Sequence, residues 1–197
     1  MPNYIFHPRR VDFKHYVTVP GVFTPEECEL IIREGDKVNE IDATVGGDED
    51  VGVNPEIRIS KLRWIECTWE NAWIWHRIAE NVIDVNNKFF QFDLLGFKES
   101  IQLTRYEEGM FYIEHMDYGK GPHCNRKLSL SIQLTDPATY EGGDLELNYG
   151  AQGFVTMQRD LGSITFFPSF TLHRVTPVTR GVRHSVVLWV TSQFSFR

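Results

Sequence analysis

From residue 98 onward the sequence breaks into short runs with strand character, and this rhythm limits the fold more than any other feature. The runs are 98–106, 110–117, 126–134, 144–149, 153–158, 163–167, 170–176 and 183–192. Turn-forming stretches separate them, such as Glu107-Glu108-Gly109, Gly119-Lys120-Gly121-Pro122, Glu141-Gly142-Gly143 and Gly150-Ala151-Gln152-Gly153. Eight strands at this spacing predict a double-sheet jelly roll. There is no internal repeat and no low-complexity segment.

The first half reads differently. Residues 14–19 predict a short strand stopped by Pro20-Gly21. Thr24-Pro25-Glu26-Glu27 predicts a helix start: Thr24 caps, Pro25 suits the first helical position, and Glu27 completes a capping box. Cys28, Ile31, Ile32 and Gly35 would face inward. Residues 57–66 predict a strand. A helix from about Thr68 to Asn87 follows, with Trp75, Ile78, Ala79, Val82 and Ile83 as its buried stripe. Trp69, Trp73, Trp75 and His76 read as packing residues. Residues 42–55 are acidic and carry three glycines. They read as a loop, either a connector or a lid over a site. The expectation is a single domain over 1–197, mainly β with flanking helices. A double-stranded β-helix (jelly roll) of about 98–193 would be backed by N-terminal α-helices within about 1–97.

Composition narrows the partners. The net charge of −7 and the lack of a basic stripe argue against a nucleic-acid partner. No run of eighteen apolar residues exists, so no membrane partner is expected. The first ten residues lack the apolar core of a secretory signal. Cys28, Cys67 and Cys124 are odd in number, widely spaced and form no C-x-x-C, which predicts reduced thiols in a cytoplasmic protein. His123-Cys124 has no tetrahedral partner set nearby, so zinc is not expected there. His7, His15, His123 and His184 read as structural.

The chemistry is carried by His115-Met116-Asp117, inside the second predicted strand. Residues i and i+2 of a strand share a face, so the imidazole and carboxylate would project together. That is two-thirds of the facial triad that holds Fe(II). His173, on a later strand, is placed to complete it. With 7 histidines and 11 aspartates in 197 residues, chance gives about 0.4 His-x-Asp pairs, so the pair gains weight only from its context. Ten residues after His173 comes Arg183. Pro177 to Gly181 would supply a turn that brings Arg183 onto the neighbouring antiparallel strand, beside His173. A buried guanidinium there needs an anion, and a substrate carboxylate fits.

His-x-Asp, a His 56 positions after the Asp, and an Arg ten further on resemble the Fe(II)/2-oxoglutarate-dependent oxygenases. The likeness is strongest to the prolyl 4-hydroxylase-like branch, with its bacterial and phage members. It extends to the stretch from His173 to Arg183, to Asp136-Pro137…Tyr140-Glu141-Gly142-Gly143-Asp144-Leu145, and to Gly162-Ser163…Phe166-Phe167-Pro168. Its weakest part is Arg58-x-Ser60…Trp64. The resemblance implies that His115, Asp117 and His173 bind Fe(II) and that Arg183 holds the C5 carboxylate of 2-oxoglutarate. It implies a hydrogen bond from Tyr106 to this cosubstrate, molecular oxygen as co-reactant and ascorbate as reductant. Arg183 is preferred to Arg180, which lies in the turn. Collagen-type members usually carry Lys where Arg183 sits, so the chain looks more like the branch that uses Arg. The implied activity is hydroxylation of a prolyl residue in a peptide or protein, with succinate as coproduct. The alternatives are the same chemistry on a free amino acid or other small molecule, or a non-catalytic jelly-roll binding module.

Overall fold

The computed structural model describes residues 13–45 and 52–196. In chain order the elements are β1 (Val17–Val19), α1 (Pro25–Asp36), β2 (Ile41–Asp42), β3 (Arg58–Ile59), β4 (Lys61–Ile65), α2 (Ala72–Val85), β5 (Gly96–Phe97), β6 (Ile101–Tyr106), β7 (Phe111–His115) and β8 (Arg126–Gln133). They continue with β9 (Glu141–Gly142), β10 (Leu145–Asn148), β11 (Phe154–Thr156), β12 (Ile164–Pro168), β13 (Leu172–Val175), β14 (Val178–Arg180) and β15 (Arg183–Thr191). The larger sheet runs β1-β12-β8-β15-β6-β4-β2, with β5 also on β15; the smaller runs β11-β10-β13-β7-β3; β9 pairs with β14. This is the expected jelly roll.

Side-chain alternation explains how the layers stack. Leu128, Leu130 and Ile132 of β8 and Val186, Leu188 and Val190 of β15 point to the outer face of the larger sheet. There they meet Ile31 of α1 and Ile74 and Ile78 of α2 in one core. Fully burying each such side chain contributes about 1.5–3 kcal/mol. α1 starts as its sequence dictates. Thr24 Oγ1 accepts from Glu27 N at 3.2 Å, and Glu27 Oε2 accepts from Thr24 N at 2.9 Å.

Several elements differ from the sequence expectation. The first strand covers only Val17–Val19. α2 begins at Ala72, because the Asn71 side chain folds the preceding segment into a turn: Oδ1 accepts from Thr68 N and Nδ2 donates to the Glu66 carbonyl. It ends at Val85, where the chain widens into a π turn at Asn86–Phe90. Its buried stripe is Ile74, Ile78, Val82 and Val85, while Ile83 is 60% exposed. Trp69 is 96% exposed and His76 is also exposed, so neither is a packing residue. The N-terminal half is not only helical support, since β2 and β4 extend the larger sheet and β3 edges the smaller. The expected turn at 177–181 contains β14.

One correction bears on function. Arg183 does not lie on a strand paired with His173. β13 belongs to the smaller sheet and β15 to the larger, because the 176–182 connection crosses between sheets. The two side chains therefore line one cavity from different sheets.

Candidate active site

The gap between the sheets holds a cavity of about 660 Å³. His115 ends β7 and His173 lies on β13, directly opposite one another across the ladder. Asp117 follows in a bend just past β7, so its approach does not come from strand pleat alone. Ser129 Oγ, from the inner face of β8, donates to Asp117 Oδ2 at 2.7 Å and sets the carboxylate in place. Ser169 Oγ lies 3.0 Å from Ser129 Oγ, and Tyr118 N donates to the Ser169 carbonyl, tying the bend to the end of β12.

Three lone-pair donors converge here. His173 Nε2 is 3.5 Å from Asp117 Oδ2, and His115 Nε2 is 3.8 Å from Asp117 Oδ1. The ligand atoms of the three residues all lie within 4.8 Å of one another. Each imidazole donates its Nδ1–H to the backbone carbonyl two residues earlier, Ile113 for His115 at 2.8 Å and Thr171 for His173 at 2.9 Å. Both Nε2 atoms are thus bare acceptors aimed at the centre. Burial, with the neighbouring His173, pushes the His115 imidazole down to about 3. Burial alone would raise the Asp117 carboxyl; the facing imidazoles when protonated, Arg126 and the Ser129 hydrogen bond outweigh it and hold the carboxyl low. An anion and two neutral imidazoles packed this closely repel unless a cation sits among them. The donor set, two nitrogens and one carboxylate with an open side, suits Fe(II).

The same cavity holds a buried guanidinium. Arg183 is 1% exposed, opposite Tyr106 on the neighbouring β6. Its guanidinium lies 5.6 Å from the centre of the Tyr106 ring. Its Nη1 is buried and has no hydrogen-bond partner among the described residues. An unpaired buried guanidinium nitrogen is costly, and a carboxylate satisfies it. Arg180, in contrast, is exposed and pairs with Glu141 at 2.9 Å.

Comparison with known proteins places the chain. Residues 101–191 match the model of the 2OG-Fe(II) oxygenase superfamily. A PKHD-type hydroxylase of Gloeothece citriformis is 33% identical over 180 residues, 89% of this chain and 77% of the relative. The chain belongs to the 2OG-Fe(II) oxygenase superfamily. A second PKHD-type hydroxylase, YbiX of Escherichia coli, is 26% identical over 180 residues, 88% of this chain and 77% of that one. Among solved structures, the viral collagen prolyl hydroxylase of Paramecium bursaria Chlorella virus-1, in complex with 2OG, superposes with a TM-score of 0.67 at 22% identity, covering 91% of this chain and 97% of that one. A Trichoplax adhaerens prolyl hydroxylase, in complex with a hypoxia inducible factor peptide fragment, gives 0.75 at 16% identity, covering 91% and 84%. The protein is thus a 2-oxoglutarate-dependent dioxygenase with the fold of the prolyl hydroxylases, and its family uses Fe(II) and 2-oxoglutarate. No helix among the described residues is long and apolar enough to cross a membrane.

The structure brings His115, Asp117, His173, Arg183 and Tyr106 to one cavity. Sequence reasoning missed others that share it. Arg58 is 6% exposed, donates to Ser60 Oγ at 2.8 Å and lies over the Tyr112 ring. Tyr112 stacks on His115 with ring centres 3.5 Å apart, and burial pushes its phenol up to about 12. Arg126 pairs with Glu99 and lies over Trp189. His123, read as structural, lines the cavity too. His15 stacks on Tyr149, in keeping with a structural part, and His7 lies outside the described residues. Of the 42–55 loop, Thr44 and Val45 line the cavity, while 46–51 lie outside the described residues.

Proposed function

We propose that this dioxygenase holds Fe(II) on His115, Asp117 and His173 and the C5 carboxylate of 2-oxoglutarate on Arg183, and hydroxylates a prolyl residue of a peptide or protein. The observation that carries the reading is the pairing of two incomplete sites in one cavity: three converging ligand atoms and an orphaned guanidinium nitrogen. A 2-oxo dicarboxylate has one group for each.

When bound, iron and 2-oxoglutarate supply the oxidising chemistry, in which one atom of O2 enters succinate and the other a substrate C–H bond, with loss of carbon dioxide. The protein's own residues bind, orient and exclude water. Ile113 and Thr171 carbonyls hold the two imidazoles in the tautomer that carries its proton on Nδ1 and leaves Nε2 bare. Ser129 keeps Asp117 ionised and aimed. The Tyr106 hydroxyl adds a hydrogen bond to the cosubstrate beside Arg183. Trp64, Val187 and Trp189 wall the cavity with apolar surface. Ascorbate serves as the reductant that keeps the iron ferrous.

A peptide substrate is supported by the open side of the cavity, where Thr44, Val45, Gly119 and Lys120 come from loops. The peptide seen on the Trichoplax neighbour supports it too. Proline fits a site of this kind because its φ is already fixed, so little entropy is lost on binding. The acidic 42–55 stretch disfavours acidic chains, and the net charge of −7 disfavours nucleic acid. The test incubates the enzyme with Fe(II), 2-oxoglutarate and O2, with and without ascorbate, on prolyl peptides and on free amino acids. One oxygen gained on proline, coupled to succinate and sustained by ascorbate, is expected. Coupled turnover on free amino acids, with every prolyl peptide untouched, would replace the peptide with a small molecule.

A further inference from the structure

Arg183 does not hold its position alone. Its Nε donates to Gln133 Oε1 at 3.2 Å, and its Nη2 donates to the same oxygen. Gln133 therefore occupies one edge of the guanidinium, the Nε/Nη2 edge. The other edge, Nη1/Nη2, is left for an incoming group, and Nη1 is the atom without a partner among the described residues. That edge presents two parallel donors, the geometry a carboxylate accepts.

Gln133 is itself pinned. It is 7% exposed, and its Nε2 donates to Tyr140 Oη at 2.9 Å. Arginine only donates, so the amide oxygen must face Arg183 and the amide nitrogen Tyr140. Tyr140 is 2% exposed and lies under the Arg159 guanidinium, which donates to its hydroxyl at 3.3 Å and to its carbonyl at 3.2 Å. Arg159 pairs with Asp144 at 3.2 Å. The arginine stem is confined as well. Gly143 has φ +62°, and a Cβ there would sit 3.1 Å from Arg183 Cδ and 2.8 Å from Val178 Cγ2.

The chemistry of the partner decides what this arrangement does. A carboxylate at position 133 would orient the guanidinium equally well, but it would cancel the charge that attracts a second carboxylate. An apolar side chain would leave the charge but lose the orientation. A primary amide does both tasks, because it accepts two hydrogen bonds and adds no charge. We infer that Gln133 is the positioning residue of the anion pocket, aiming the free edge of Arg183 and preserving its charge, so that it sets the preference for a 2-oxo dicarboxylate over a 2-oxo monocarboxylate. This rests on the assignment of Arg183 to the C5 carboxylate.

The test measures binding of 2-oxoglutarate and of 2-oxobutyrate, which lacks the second carboxylate, to the Mn(II)-loaded full-length protein without O2. Gln133→Glu should weaken 2-oxoglutarate about 30-fold or more through loss of the charge-assisted pair. Gln133→Met should weaken it about tenfold, through lost orientation. Neither should change 2-oxobutyrate by more than about twofold, nor Mn(II) affinity, since neither ligand reaches Arg183. Wild-type 2-oxoglutarate affinity in both variants overturns the role of Gln133, and so does an equal loss for both acids, which marks a general distortion. Arg183→Ala separates the two levels. If it leaves 2-oxoglutarate binding intact, the assignment of Arg183 fails. If it removes binding while the Gln133 variants keep it, only the role of Gln133 fails. Should both Gln133 variants misfold, Tyr140→Phe decides: it frees the amide and should weaken 2-oxoglutarate about threefold, and an unchanged affinity overturns the inference.

Discussion

The two faces of the larger sheet are made by the same strands and have opposite compositions. On β8, Leu128, Leu130 and Ile132 alternate with Ser129, Ser131 and Gln133; on β15, Val186 and Leu188 alternate with Arg183 and Ser185. The outer face is packed dry against α1 and α2 and stabilises the fold through buried apolar surface. The inner face is also buried, yet it is lined with hydroxyls, amides and a guanidinium. Burying such groups costs stability unless each finds a partner. Most do: Ser129 with Asp117, Gln133 with Arg183 and Tyr140. Arg183 Nη1 and Trp189 Nε1 are among those that do not, and the charged one calls for an anion. Two residues that are neighbours in sequence can therefore have separate tasks, one in stability and one in chemistry.

The sharpest break of that comparison sets His173→Ala against Leu188→Ala. His173→Ala should abolish succinate formation from 2-oxoglutarate, while the chelator-treated protein melts near the wild-type temperature. Turnover by that variant would remove His173 from the centre. Leu188→Ala, on the other face, should lower unfolding free energy in urea by about 2–5 kcal/mol, through lost contact and a cavity. The protein that remains folded should bind Mn(II) and 2-oxoglutarate normally, and a selective loss of binding would show that the faces are not independent. Ser129→Ala is a smaller probe of the inner face. It should weaken Mn(II) binding about 10–100-fold with little change in stability, as removal of a group that orients a metal ligand does.

The last prediction concerns pH on the outer side. Burial, with Arg105 and Arg63 nearby, pushes the His184 imidazole down to about 4. The unfolded chain then binds more protons than the folded one between about pH 6.5 and 4, so stability falls as pH falls through that window. His184→Asn removes the titration and should flatten this part of the stability curve in urea titrations at stepped pH. An unchanged acid limb would show that other groups set it.

The fold was legible because strand alternation and turn residues recur from residue 98, and most predicted runs match strands to within one to three residues. The centre was legible because His115, Asp117 and His173 carry distinctive side chains at a distinctive spacing. Other features were hidden for physical reasons. A cavity-facing polar stripe such as Ser129-Ser131-Gln133 has the same period as a solvent-facing one, so alternation alone cannot tell a wet interior from a surface. The sheet that carries Arg183 depended on whether 176–182 turns back or crosses over, and proline and glycine serve either path. The start of α2 was set by the Asn71 side chain, whose hydrogen bonds to Thr68 and Glu66 override the helical propensity of the residues before it.

The position of β15 has a consequence for how the molecule is made. It is the last of the described strands, yet it lies in the middle of the larger sheet, between β8 and β6. Until it leaves the ribosome, β8 and β6 present open edges toward an empty slot, and neither sheet can close over the cavity. The nascent chain must therefore wait, partly assembled and prone to pair with the wrong strand, for β15. A ribosome stalled before residue 183 would release a protein with His115, Asp117 and His173 in its sequence and no complete larger sheet to close over them.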